Sequence, residues 1–114
     1  MAIASTYGKN SLAAKYAAEA LYGAVYTTAP GASAGTEPSG GSPAYARKAL
    51  TWSSPSGGVI TASATFDVPA GTTVVGTGTH TAVTGGSYVD GKTETSTNFP
   101  TQDTVTVTFT YTQS

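Results

Sequence analysis

Gly31-Ala32-Ser33-Ala34-Gly35 has the spacing of a serine nucleophile elbow. Asp67 and His80 follow it in the chain order of an acyl-transfer triad. That chemistry needs the serine on a sharp turn between a strand and a helix, where its hydroxyl stands clear and a histidine can take its proton. Here Pro30 precedes the motif and Thr36-Glu37-Pro38 follows it, inside a run of small residues. The chain is also too short for the parallel sheet that carries such an elbow. With Gly, Ala and Ser this common, chance supplies the match, and no catalytic residue is assigned.

The other routes to chemistry are equally thin. His80 is the only histidine, and no spacing gathers carboxylates around it as a metal would require. It reads as a strand residue near a turn, able at most to report local pH. Asp90 and Glu94 lie close in sequence but read as turn residues. A carboxylate pair does acid–base work only when burial drives the two pKa values apart. The glycine-rich stretch 35–42 lacks the lysine of a phosphate-binding loop. No metal and no cofactor is implied, and the expectation is a protein that is not an enzyme.

Binding is the better-supported class. The chain has seven tyrosines and one tryptophan, residue types that give large contact area at low entropic cost. Trp52, Phe66, Val107 and Phe109 are assigned to the core. Tyr7, Tyr26, Tyr45 and Tyr88 remain as candidate partner contacts, or as rings packed at sheet ends. Arg47 joins that set. It neighbours Lys48, but adjacent strand residues point to opposite faces, so the two make no basic patch. One of them reaches a partner or a carboxylate; the plainer reading is a solvated side chain.

These residues need a scaffold, and composition bounds it. The 114 residues fit one domain, 1–114. Charged residues make up 10% of the chain and the net charge is -1, so no basic stripe exists to neutralise phosphates and nucleic acid is not an expected partner. So little charge suits a chain packed against neighbours. Thr is the commonest residue, and a Thr-rich face stays wet through hydroxyls while its β-branched carbons fit a pleated sheet. Fourteen glycines and six prolines call for many tight turns. There are no cysteines, so neither disulfides nor thiolate metal sites arise. Met1 to Asn10 lacks the basic start and apolar run of a signal peptide, and no segment approaches membrane-spanning length, so synthesis in the cytosol without membrane insertion is expected.

The pattern predicts one N-terminal helix over about 5–22, capped by Ser5 or Asn10 and ended at Gly23, with Leu12, Tyr16 and Ala20 on its apolar face. A strand over 24–28 leads to a long loop, 29–43, expected as a surface arm or partner contact. Strands follow over 44–52, 59–68 and 72–81, the last with a Gly76-Thr77-Gly78 stretch that suggests a bulge or a close approach of backbones. A Gly85-Gly86 hairpin links 82–83 to 88–89, and Asp90-Gly91 makes a further turn. The strand 104–112 alternates most cleanly, with Val105, Val107, Phe109 and Tyr111 on one face and Thr on the other. The fold class is mainly β: a small antiparallel β-sandwich of about six strands with one N-terminal helix.

Two stretches are familiar. Gly40-Gly41-Ser42-Pro43-Ala44-Tyr45-Ala46-Arg47-Lys48-Ala49-Leu50-Thr51-Trp52 and Phe66-Asp67-Val68-Pro69-Ala70-Gly71-Thr72-Thr73-Val74 resemble short virion proteins of actinobacterial tailed phages, of the tail-fibre, minor-tail or head-decoration type. Gly8-Lys9-Asn10 and Ala24-Val25-Tyr26-Thr27-Thr28-Ala29-Pro30-Gly31 fit the same pattern. The chain departs from it at Thr77-Gly78-Thr79-His80-Thr81-Ala82, where the family often has an aromatic-rich strand. The resemblance implies an accessory structural protein on the outside of a virion, bound to capsid or tail subunits and oligomeric, a trimer being favoured. It implies no catalytic residues. The alternative is a carbohydrate-binding module for host cell-surface attachment, using exposed rings drawn from Tyr7, Tyr22, Tyr26, Tyr45 and Tyr88.

Overall fold

The computed structural model describes residues 4–113. Its elements are helix α1 (Thr6–Glu19) and strands β1 (Tyr22–Tyr26), β2 (Lys48–Ala49), β3 (Val59–Val68), β4 (Thr72–His80), β5 (Tyr88–Phe99) and β6 (Asp103–Thr112). One antiparallel sheet runs β2-β1-β4-β5 and a second pairs β3 with β6. The chain is mainly β with one N-terminal helix, as its composition predicts.

The β3–β6 pair follows directly from alternation. Its register runs unbroken from Val59 opposite Thr112 to Val68 opposite Asp103. Ile60, Ala62, Phe66 and Val68 therefore share a face with Val105, Val107 and Phe109. That face seals the core with Val25, Leu50, Val74 and Phe99 of the other layer. Phe66 and Phe109 meet edge to face, with ring centroids 6.3 Å apart. Their rings press on Gly23, where a Cβ would lie 2.9 Å from the Phe109 ring. Gly23 is thus a strand glycine that admits aromatic bulk, not the residue that ends the helix.

Helix α1 stops earlier than predicted. The Ser5 hydroxyl accepts from the Gly8 N–H at 3.0 Å, the N-cap geometry. The last turn closes at Ala20, whose N–H reaches the Tyr16 carbonyl. Asn10 is not a cap; its Oδ1 accepts from the Gly58 N–H at 2.8 Å and pins the helix to the turn before β3. Leu12 is exposed, while Ala13 and Ala20 are fully buried. The docking stripe is made of small residues, which brings the helix backbone close to the sheet. Tyr16 supplies the bulk, stacked on Tyr111 at 4.1 Å.

The larger sheet departs from the predicted strands in four places. The strand expected at 24–28 lies at Tyr22–Tyr26. Of the predicted 44–52 strand only Lys48–Ala49 pairs. Ala82 and Val83 join no strand ladder; they belong to a loop, 81–87, between β4 and β5. Asp90-Gly91 is no turn: both lie inside β5, opposite Thr79 and Gly78. Gly91, which suggested a turn, and Gly76 and Gly78, which suggested a bulge or a close approach, leave one face of the sheet bare. On that face a Cβ at Gly78 would overlap the Tyr26 ring, and one at Gly91 would meet Pro30 and the Tyr88 hydroxyl. A β-bulge between Val74 and Gly76 resets the alternation, so that Val74 and Thr77 both turn inward.

The bare face is where the 29–43 segment goes. It is a third layer laid over the sheet. Thr27 N–H donates to the Thr36 carbonyl at 2.7 Å, Pro38 is buried, and Pro30 rests on Gly76 and Gly91. The molecule is elongated, with principal extents of 47 × 22 × 22 Å.

Candidate functional site

The densest polar cluster lies under that layer. Glu37 and Arg47 form a forked ion pair, with Arg47 Nη2 to Glu37 Oε2 at 2.9 Å and Nε to both carboxylate oxygens at 3.1 and 3.2 Å. The second guanidinium nitrogen donates to the carbonyls of Ala82 and Gly85, each at 2.9 Å. One side chain thus joins the long loop to the tip of the β4–β5 hairpin. Tyr45 donates to Glu37 Oε1 at 2.8 Å and accepts from the Val25 N–H at 3.2 Å. Deeper still, the Tyr26 hydroxyl and His80 Nε2 share a hydrogen bond of 2.6 Å. Tyr88 closes the edge, donating to the Gly31 carbonyl at 2.8 Å.

The electrostatics follow from burial and pairing. Burial pushes the Glu37 carboxyl up, but hydrogen bonds from Arg47 and Tyr45 and the Arg47 charge outweigh it, so the group stays ionised to lower pH than usual. Burial holds His80 below the usual histidine range, helped by the Arg47 charge and opposed by Glu37. Burial also raises Tyr26 and Tyr45, and Glu37 adds to both shifts. The cluster is built from ordinary protonation states: an anion, a cation and neutral rings.

Several sequence expectations change here. Tyr26 is wholly buried, so it cannot touch a partner while the fold is intact. Tyr45, Tyr88 and Arg47 are engaged by the chain itself, and the Arg47 side chain is only 13% exposed. The carboxylate that Arg47 reaches is Glu37, ten residues away across a loop that periodicity cannot fold. Tyr7 stands out on the helix, 84% exposed. The five tyrosines considered for sugar contact do not form an exposed row, because Tyr26 is interior and Tyr88 is bonded to the loop. Ser33 is exposed on that loop, Asp67 lies 3.6 Å from Lys48 Nζ, and His80 is held by Tyr26. Among the described residues no hydrogen bond joins Ser33, Asp67 and His80, and no group of His, Asp and Glu is placed to hold a metal ion.

The opposite surface is of another kind. The outer face of β3–β6 carries Thr61, Ser63 and Thr65 beside Thr106, Thr108 and Thr110, all exposed. Ser63 and Thr108 share a hydrogen bond at 3.2 Å, and Thr65 and Thr106 one at 2.9 Å. Hydroxyl paired to hydroxyl across the strands makes a ladder of uncharged side chains, which ends at Asp67 on the same face.

The family model described as Gp80, Podophage GP4 fiber I protein gp80, matches residues 5–113. No curated protein and no solved structure matches the chain.

Proposed function

The chain belongs to the family of podophage GP4 fiber I protein gp80, and from that premise we propose that it docks on the virion through its hydroxyl ladder. It is a phage fibre-type structural protein, associated with the virion. In this reading it is an accessory, non-catalytic part of the particle exterior, seated on capsid or tail subunits as a homo-oligomer, with a trimer favoured. The Thr/Ser face of β3–β6 is the supporting observation. A hydroxyl-lined surface pre-ordered by cross-strand bonds loses little side-chain freedom on docking, and the one carboxylate at its end, Asp67, is already paired with Lys48. It can pack against a copy of itself or a neighbouring subunit, and repetition over one particle turns weak contacts into avid ones. The sealed Glu37–Arg47 layer then serves as internal bracing.

The test is oligomeric state and incorporation into particles. The wild-type chain is expected to sediment as a trimer and to be present on purified virions. T65E/T106E, which places charge on the ladder, is expected to remain folded by circular dichroism, sediment as a monomer and be missing from particles. A charged ladder that leaves both assembly and incorporation intact removes this surface from the account.

A further inference from the structure

The two sheets do not close on each other along their whole length. β5 is the edge of the larger sheet and β6 pairs only with β3, so two free edges face one another across a seam. A cleft of about 320 Å³ opens there, at the small end of the range of ligand pockets. Tyr16, Trp52 and Phe109 line it together with Asp90, Lys92 and Glu94 of β5. The seam continues past Glu94 into a second hollow of about 330 Å³ bounded by Val74, Phe99 and Val105. Together they make a channel that suits a linear ligand.

We infer that this cleft binds a neutral oligosaccharide. Of the lining rings, Phe109 is sealed in the core and Tyr16 has one face stacked on Tyr111, which leaves the half-buried Trp52 as the ring that the weakly positive C–H groups of a pyranose can meet. The two carboxylates offer acceptors for sugar hydroxyls. Asp90 Oδ1 accepts only from the adjacent Gly91 N–H, and Glu94 meets Lys92 at a loose 3.8 Å. Both acids therefore have lone pairs to spare. Two negative charges against one positive disfavour an anionic sugar.

A peptide strand added to the free edges is the rival occupant. β5 argues against it: Asp90, Lys92 and Glu94 alternate along the strand and all turn toward the seam. Inward-pointing charges on an edge strand block strand addition, because pairing would bury them. A polyhydroxylated ligand meets those same charges with hydrogen bonds. The two surfaces meet along β6, since Thr108 and Thr110 of the hydroxyl ladder also line the cleft and Thr106 and Thr108 the second hollow; changes at Asp90 and Glu94 leave the ladder intact, so sugar binding and virion docking are tested separately.

Trp52 is the only tryptophan, so its fluorescence reports on the cleft directly. The full chain is titrated with cellohexaose, maltohexaose and chitohexaose, with a hyaluronan hexasaccharide, and with a synthetic peptide of residues 88–99. A saturable change with at least one neutral hexasaccharide is expected. D90N/E94Q, both changes on the solvent-facing rim, is expected to weaken it by roughly tenfold or more, the loss of hydrogen bonds to charged groups, with an unchanged circular dichroism spectrum. No saturable response to any of the three neutral sugars, or equal affinity in D90N/E94Q, overturns the proposal. Tighter binding of the peptide assigns the seam to strand addition, and tighter binding of hyaluronan overturns the charge argument.

Discussion

The larger sheet is covered on both faces, but by different physics. On one side β3–β6 lays an alternating apolar face against it, and Phe66, Ile60 and Val68 are fully buried. On the other, a loop from far away in sequence is held down by an ion pair, a tyrosine–histidine hydrogen bond and contacts made possible by missing side chains. The apolar side is non-directional and tolerates volume-conserving change. The polar side is directional: each group is satisfied by particular partners, and removing one side chain strands the groups it served. Stability therefore depends on a few named atoms on the loop side and on summed area on the other.

The sharpest way to break that contrast is Arg47→Ala. It leaves the Glu37 carboxylate with the Tyr45 hydroxyl but no cation, and takes from the Ala82 and Gly85 carbonyls the Arg47 donor. Loss of one partner of a largely buried pair costs about 3–5 kcal/mol, read as a lower midpoint in urea unfolding. Replacing both partners, E37Q/R47M, is expected to cost less than R47A alone, because no charge is then stranded. An R47A loss under about 1 kcal/mol would place the pair with ordinary surface ion pairs and dissolve the distinction between the two sides.

Gly78→Ala comes next. The new methyl would overlap the Tyr26 ring, and overpacking of this kind costs about 1–3 kcal/mol. The same change at Gly31, where an added Cβ meets nothing within 4 Å, is expected to be nearly neutral. Equal effects at the two positions would show that backbone entropy, not the bare face, is what Gly78 provides.

How far the sequence discloses these two sides follows the same division. Alternation in 59–68 and 104–112 is local, so β3 and β6, their inward residues and their outer Thr row are all legible from residue order alone. The loop side is defined by residues that are absent. Gly91 reads as a turn and Gly76-Thr77-Gly78 as a bulge or a close approach of backbones, because a bare strand face looks like punctuation until its covering loop is placed. Arg47 reads as half of a surface pair, since nothing local announces Glu37. The cleft is illegible for another reason: Tyr16 sits on the helix, Trp52 before β3 and Asp90 on β5. The Asp90-Lys92-Glu94 alternation is the one local signal of an inward-charged edge strand, and Asp90-Gly91 masks it as a turn.

Acid offers a milder probe of the loop side. Burial holds His80 below its ordinary pKa, so between that depressed value and the unfolded value of about 6.5 the unfolded chain binds more protons than the folded one. Stability is then present in full above the unfolded pKa and declines as pH falls through this window, by at most about 1.4 kcal/mol per pH unit. Urea midpoints measured from neutral pH downward should show the slope in the wild type and lose it in His80→Gln. Glu37, whose carboxyl is also depressed, adds its own loss only below the ordinary carboxylate range. A slope that survives His80→Gln would locate the sensitive group elsewhere.

The smallest effect is expected on the hydroxyl ladder, and its smallness is what makes it informative. Thr106→Ala removes one side of an exposed pair with Thr65. Cross-strand pairs of this sort are worth about 0.2–1 kcal/mol and exposed substitutions usually stay within about 0.5 kcal/mol. The unfolding midpoint should therefore barely move. Any loss of trimer or of particle incorporation in Thr106→Ala would then come from the surface itself and not from a weakened fold. If instead Thr106→Ala destabilises as much as Gly78→Ala, the ladder is part of what holds β3 to β6, and its exposed hydroxyls need no partner to explain them.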